Sequence, residues 1–163
     1  MENFPVFIAI DQVGEHNDAY PFAIAWSLPD GQIKRTLISP EDDWDPWAWG
    51  DLRADITQLF ETGATCREVV YELTNDLEDT TLFCFDEDNE NSALERIYEA
   101  LNDEPAYELV YWPAAKFPVN TETALDISNW VRDHNELDIE RAEDRVKLML
   151  LSFYELSQSS KVL

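Results

Sequence analysis

The chain has 163 residues, of which 45% are hydrophobic, so it can bury one sizeable core, and we expect a single domain over residues 1–163. Its 35 Asp and Glu residues against 11 Lys and Arg give a formal net charge of −24, which repels nucleic acid at long range and argues against tight, unaided binding to it. No uninterrupted apolar run approaches the roughly 20 residues that a membrane-spanning helix needs, so we expect none.

The first half of the chain predicts a three-stranded antiparallel meander. Residues 4–10, 20–28 and 32–39 are each rich in strand-forming residues, and the turn signal Pro29-Asp30-Gly31 separates the second run from the third. Pro40 ends the third predicted strand. In the segment rich in Asp and Trp that follows, we expect Trp44, Trp47 and Trp49 to pack a loop onto the body of the protein.

The second half alternates helical and strand signals. Helices are predicted over 51–60, behind the capping box Thr65-Cys66-Arg67-Glu68, behind a second capping box Ser92-Ala93-Leu94-Glu95, and over 123–133 and 139–156. Strands are predicted at 80–85 and 107–112. Strands joined through helices lie parallel with right-handed crossovers. The predicted fold is therefore α/β, with a mixed five-stranded sheet (three antiparallel strands, then two parallel) flanked by helices.

Acidic residues follow several of these elements. Asp11 ends the first strand, the cluster at 86–90 follows the fourth, and Asp144 lies in the last helix. This succession resembles the RNase H-like 3′ to 5′ exonucleases with four acidic residues, the DEDD type. Residues 31–47, with a Pro-x-x-x-Trp loop, and residues 68–85 resemble one subgroup of that family. The resemblance implies an RNase H-like fold.

In that family four carboxylates hold two divalent metal ions, Mg²⁺ or Mn²⁺, which activate a water and stabilise the leaving oxygen of a phosphodiester. The resemblance implies catalytic and metal-binding roles for Asp11, Glu90 and Asp144. Glu90 aligns best with the second-motif acid, and Asp86 and Asp88 are nearby alternatives.

Two positions of the family pattern are not filled. The first motif is Asp-x-Glu, but its second acid is replaced by Val13. The last motif is His-x-x-x-x-Asp, but the residue five before Asp144 is Ile139, and His134 fits the pattern poorly. The general base is thus missing or supplied from elsewhere. Asp11 capping a turn and Asp144 on a charged helix surface are the alternative, purely structural interpretations.

Two functions therefore stay open. The first is an exonuclease-like protein with an impaired or lost active site and no cofactor, which binds a basic protein partner through its acidic surface and nucleic acid only weakly if at all. The alternative is a Mg²⁺-dependent 3′ to 5′ exonuclease on single-stranded DNA or RNA with a rearranged site. The acidic surface also has a simpler interpretation, because high net charge keeps proteins soluble. Cys66 and Cys84 lack a metal-binding spacing, and no secretory signal precedes them, which predicts a reduced, cytoplasmic protein.

Overall fold

A five-stranded mixed sheet forms the centre of the protein. The computed structural model describes residues 4–14, 20–49, 55–78, 80–114 and 120–162. Strands β1 to β5 are, in chain order, Phe7–Val13, Tyr20–Ser27, Ile33–Leu37, Thr81–Cys84 and Glu108–Tyr111. They lie in the order β3-β2-β1-β4-β5, with β1, β2 and β3 antiparallel and β1, β4 and β5 parallel. The sheet predicted from the sequence is confirmed.

Among the described residues, five α-helices flank the sheet. Helices α1 to α5 are Ile56–Thr62, Cys66–Asp76, Glu87–Glu99, Thr121–His134 and Ala142–Val162. Asp55 caps α1 by accepting the backbone N–H of Thr57, and residues 51–54 of the helix predicted there lie outside the described residues. Within the part of the chain that the structure describes, no helix is both long and apolar enough to cross a membrane.

Strand β1 lies at the centre of the sheet, and helices cover both of its faces. On one face Ile8 and Ile10 pack in the same core as Leu94 of α3. On the other face Phe7 and Ala9 pack against residues of α5. Because successive side chains of a strand point to opposite faces, a strand covered on both sides must be apolar throughout. The first polar side chain of β1 therefore appears only near its carboxyl end.

Helix α3 begins earlier than the sequence predicts. Its N-cap is Asp86, whose side chain accepts the backbone N–H of Asn89 at 3.2 Å. Ser92 lies inside the helix, where its hydroxyl donates to the carbonyl of Asp88. The capping box predicted at Ser92 is therefore wrong, because a serine inside a helix can satisfy its hydroxyl on the preceding turn. The earlier start puts Glu90 in the first turn of α3.

The loop between β3 and α1 packs onto the sheet through two of its three tryptophans. Trp49 stacks on Tyr20 with ring centroids 5.4 Å apart, and Trp44 meets the same tyrosine edge-on at 5.6 Å. Trp47 differs from its neighbours, because it is 70% exposed. Two of the three expected packing contacts are thus present.

Gly63, at the end of α1, offers a test of the packing between that helix and the end of β3. A Cβ at this position would meet the backbone carbonyl of Leu59, the backbone nitrogen of Ser39 at 2.7 Å and the carbonyl carbon of Ile38 at 2.9 Å. Backbone atoms cannot rotate away, so we expect Gly63→Ala to lower the free energy of unfolding by about 1–3 kcal/mol. Urea denaturation measures this free energy of unfolding. The exposed neighbour Thr62→Ala is the control and should change it by no more than about 0.5 kcal/mol; equal effects would contradict the close approach.

Candidate functional site

The candidate site lies at the carboxyl ends of the parallel neighbours β1 and β4. A cavity of about 400 Å³ opens there, beside the first turns of α3 and α5. Open α/β sheets commonly bind ligands at this edge. The ionisable side chains that line the cavity are Asp11, Asp86, Glu90, Glu140 and Arg145.

Asp11 is buried, with 8% of its surface exposed, and both of its carboxylate oxygens have partners. Oδ2 accepts the backbone N–H of Ala142, the first residue of α5, at 3.0 Å. Oδ1 lies 3.2 Å from Nη1 of Arg145. Asp11 lies opposite Ala23 and Gln12 opposite Pro21, so Phe22 is an extra residue of β2 beside this carboxylate. Asp11 therefore joins the end of β1 to the start of α5.

Glu90 is more deeply buried, with 2% exposed, and it connects three segments. Oε1 accepts the backbone N–H of Ile10 in β1 at 3.3 Å. Oε2 accepts the backbone N–H groups of Phe85 and Asp86, just after β4, at 3.1 and 3.2 Å. Its Oε1 also lies 3.5 Å from Nε of Arg145.

Arg145 is the residue that brings the two acids together. Its side chain is 13% exposed, and its guanidinium contacts the carboxylates of both Asp11 and Glu90. It also donates to two backbone carbonyls, from Nη2 to Ile10 and from Nη1 to Ile139, each at 2.9 Å. Four oxygens from β1, α3 and the segment before α5 thus surround one cation. We call Asp11, Glu90 and Arg145 the buried ion cluster.

Asp144 does not belong to the buried ion cluster. Its Oδ2 accepts the backbone N–H of Asp138 at 2.9 Å, a contact that closes the turn before α5, and Asp144 is absent from the residues that line the cavity. The structure thus brings Asp11 and Glu90 together and places Arg145, rather than Asp144, against them. Of the alternatives to Glu90, Asp86 lines the cavity as the N-cap of α3, whereas Asp88 is exposed in its first turn.

A signal for Arg145 was present in the sequence. In a helix, residues three or four apart share a face, and the buried residues Ala142, Leu148 and Met149 of α5 are each three or four positions from Arg145. Position 145 lies on that inner face, while position 144 is rotated from it by about 100°. The helical period therefore favours Arg145 over its acidic neighbour as the residue that points to the sheet.

Burial opposes the charge on both carboxyl groups of the cluster. It raises the pKa of Glu90 from 4.5 to about 7, a rise that Arg145 and the backbone N–H donors oppose. Burial also raises the pKa of Asp11, against the lowering effects of the Ala142 N–H and Arg145. The favourable contacts of the carboxylates therefore compete with their removal from water.

The buried ion cluster does not fit a divalent metal ion with Arg145 in this position. The Asp11 and Glu90 oxygens that would bind the ion already accept hydrogen bonds or contact the guanidinium. A second cation beside that guanidinium would be repelled. Among the described residues, no group of three or more His, Cys, Asp or Glu side chains is arranged to hold a metal.

Among the comparisons with known proteins, those with solved structures support the fold. No family model matches the chain, and no curated protein matches it. A chain from the structure of the yeast NOT1 MIF4G domain co-crystallised with CAF1 superposes with a TM-score of 0.66 at 14% identity, over 98% of this chain and 81% of that one.

Two structures of E. coli exonuclease I also superpose on the chain. The complex with a dT13 oligonucleotide gives a TM-score of 0.61 and the complex with dA16 gives 0.63, each at 11% identity and over 90% of this chain. The matched region is 39% of the exonuclease I chain. At this identity the likeness shows the fold alone: the chain shares its fold with part of exonuclease I.

The raised pKa of Glu90 predicts a pH dependence of stability. Because the folded state holds the Glu90 proton up to about pH 7 and the unfolded state releases it near 4.5, the folded state binds more protons between these values. The contribution of Glu90 to stability is therefore present below about pH 4.5 and is lost as the pH rises to about 7. Glu90→Gln removes this titration, so the Tm of wild type minus that of the variant should fall as the pH rises from about 4.5 to about 7.

Thermal unfolding of both proteins at a series of pH values measures this difference. Glu95→Gln, at an exposed position of the same helix, is the matched control and should leave the pH profile unchanged. A constant difference between wild type and Glu90→Gln across the range would mean that Arg145 and the backbone donors keep Glu90 ionised throughout.

Proposed function

We propose that the chain is an exonuclease-like protein that does not hydrolyse phosphodiesters and that acts by binding a basic protein partner through its acidic surface. The observation that carries the proposal is the guanidinium of Arg145, which lies against both Asp11 and Glu90 where a DEDD-type enzyme would need those carboxylates for metal ions. A guanidinium has no exchangeable water to activate, so it cannot supply the nucleophile that a metal-bound water supplies.

The last motif of the family is consistent with this proposal when its acid is aligned with Arg145, which faces the site, instead of with Asp144. If Arg145 stands at the last acid of His-x-x-x-x-Asp, the residue five before it is Glu140, which lines the cavity. A cation then replaces the acid, and a carboxylate replaces the histidine. Together with Val13, three family positions carry residues of different chemistry. Loss of a general base by itself commonly lowers the rate about 10²- to 10⁴-fold.

The charge of the chain supports a basic protein as the partner. A formal net charge of −24 attracts positively charged surfaces and speeds their encounter, while it repels a phosphate backbone. One of the structures with this fold comes from a co-crystal of two proteins, so the fold is compatible with a protein complex.

A Mg²⁺-dependent 3′ to 5′ exonuclease with a rearranged site is the second candidate. It is favoured by one observation: Asp11 and Glu90 meet at the carboxyl ends of two parallel strands. The exonuclease I structures of the same fold contain single-stranded oligonucleotides. An active site would require Arg145 to leave the carboxylates before metal ions bind.

A nuclease assay separates the two candidates. Purified protein is incubated with single-stranded DNA and with RNA, in Mg²⁺ and in Mn²⁺, beside an Asp11→Ala variant. We expect wild type and variant to give the same background, because the carboxylates are already paired with Arg145. Metal-dependent cleavage that the Asp11→Ala substitution abolishes would overturn the non-catalytic proposal.

Salt dependence tests the binding half of the proposal. A basic partner should be captured on the immobilised protein at low salt and released at high salt, because the screening length falls from about 10 Å at 0.1 M to about 3 Å at 1 M. Identification of the captured protein by mass spectrometry, followed by titration of the purified partner, gives the affinity at each salt concentration. An affinity that does not change with salt would contradict a contact through the acidic surface.

A further inference from the structure

The four oxygens around Arg145 are of the kind that binds divalent cations. They are Oδ1 of Asp11, Oε1 of Glu90 and the backbone carbonyl oxygens of Ile10 and Ile139, at 3.2, 3.5, 2.9 and 2.9 Å from guanidinium nitrogens. Carboxylate and carbonyl oxygens are the usual ligands of Mg²⁺, Mn²⁺ and Ca²⁺. The guanidinium therefore occupies an oxygen-lined position beside two carboxyl groups.

These oxygens come from segments that are far apart in the sequence. Ile10 and Asp11 are in β1, Glu90 is in α3, and Ile139 precedes α5. Arg145 is the one charged side chain of the described residues that is shown in contact with all three. It thus ties the start of α5 to the sheet and to α3 at a single point.

Without this cation, two carboxylates would be buried beside each other. Asp11 and Glu90 are both within 3.5 Å of the same guanidinium, and 8% and 2% of their surfaces are exposed. Removing one partner of a buried ion pair is strongly destabilising, because the remaining charges are uncompensated. A cation at this position, whether a protein side chain or a bound ion, therefore stabilises the packing of α5 against these carboxylates.

We infer that Arg145 is an internal substitute for a divalent cation: it makes the packing of α5 on the sheet independent of metal, and its removal turns the same four oxygens into a metal site. This inference concerns how the fold is held together and does not depend on whether a protein partner exists. It accounts for the combination of two buried carboxylates with a guanidinium in a cavity at the usual ligand-binding edge of the sheet.

The test compares thermal unfolding of wild type, Arg145→Ala and Arg141→Ala in EDTA and in Mn²⁺. Arg141 is an exposed arginine one turn before Arg145, so its variant controls for the loss of one positive charge at the same helix end. In EDTA, Arg145→Ala should lower the Tm by about 6–20 °C, whereas Arg141→Ala should leave it nearly unchanged. Mn²⁺ at ten times its dissociation constant should then raise the Tm of Arg145→Ala by about 3–6 °C.

Wild type and Arg141→Ala should show the same small response to Mn²⁺, since both keep the guanidinium and the acidic surface. Arg145→Lys gives a further check, because a single ammonium cannot span both carboxylates but still repels a metal ion. It should be less stable than wild type and should show no gain from Mn²⁺.

Three outcomes would overturn the inference. The first is an Arg145→Ala variant as stable in EDTA as Arg141→Ala, and the second is a Mn²⁺ response of wild type as large as that of Arg145→Ala. The third applies if Arg145→Ala is unfolded in EDTA. Circular dichroism is then measured after Mn²⁺ is added, and the variant fails to regain its helical signal. Nuclease activity enters none of these readouts, so the inference and the non-catalytic proposal can fail separately.

Discussion

The contact of Arg145 with two buried carboxylates is the interaction on which the arrangement of the site depends. Taking three charges out of water is expensive, and their mutual attraction offsets that cost only when the remaining hydrogen-bonding capacity is satisfied. Here the backbone N–H groups of Ile10, Phe85, Asp86 and Ala142 donate to the carboxylates, and two carbonyls accept from the guanidinium. The ends of β1 and β4 and the starts of α3 and α5 meet because each contributes a partner to the same charges.

Most of the fold follows from signals that are local in the sequence. Apolar residues either alternate or run continuously along a strand, according to the position of that strand in the sheet. Strand β1, for example, is covered on both faces and is apolar on both. The helix cap predicted at Thr65 is confirmed, since its hydroxyl accepts the backbone N–H of Glu68. At α3 the sequence predicts a cap at Ser92, whereas in the structure the carboxylate of Asp86, two residues after β4, forms the cap. Local patterns could not rank these caps, since the choice depends on where the strand ends.

The candidate site was only partly predictable for a related reason. The sequence indicates Asp11 and Glu90 because Asp11 lies near the end of β1 and Glu90 in the first turn of the helix after β4. The family pattern does not indicate Arg145, because it specifies carboxylates at this place, although the helical period puts position 145 on the inner face of α5. The partner of a buried charge is a property of the assembled fold: Arg145 is 135 residues from Ile10, to whose carbonyl it donates.

An internal cation also suits a chain of this composition. With 35 acidic residues and a formal net charge of −24, the surface attracts cations from solution, and the occupancy of a buried metal site would depend on which ions are present. A guanidinium attached to α5 does not dissociate, so its local concentration does not depend on the metal content of the solution. The carboxylates at the carboxyl ends of β1 and β4 can then stay buried whatever ions the acidic surface collects. The residue that contacts the carboxylates of Asp11 and Glu90 is therefore the same one that ties the start of α5 to the sheet.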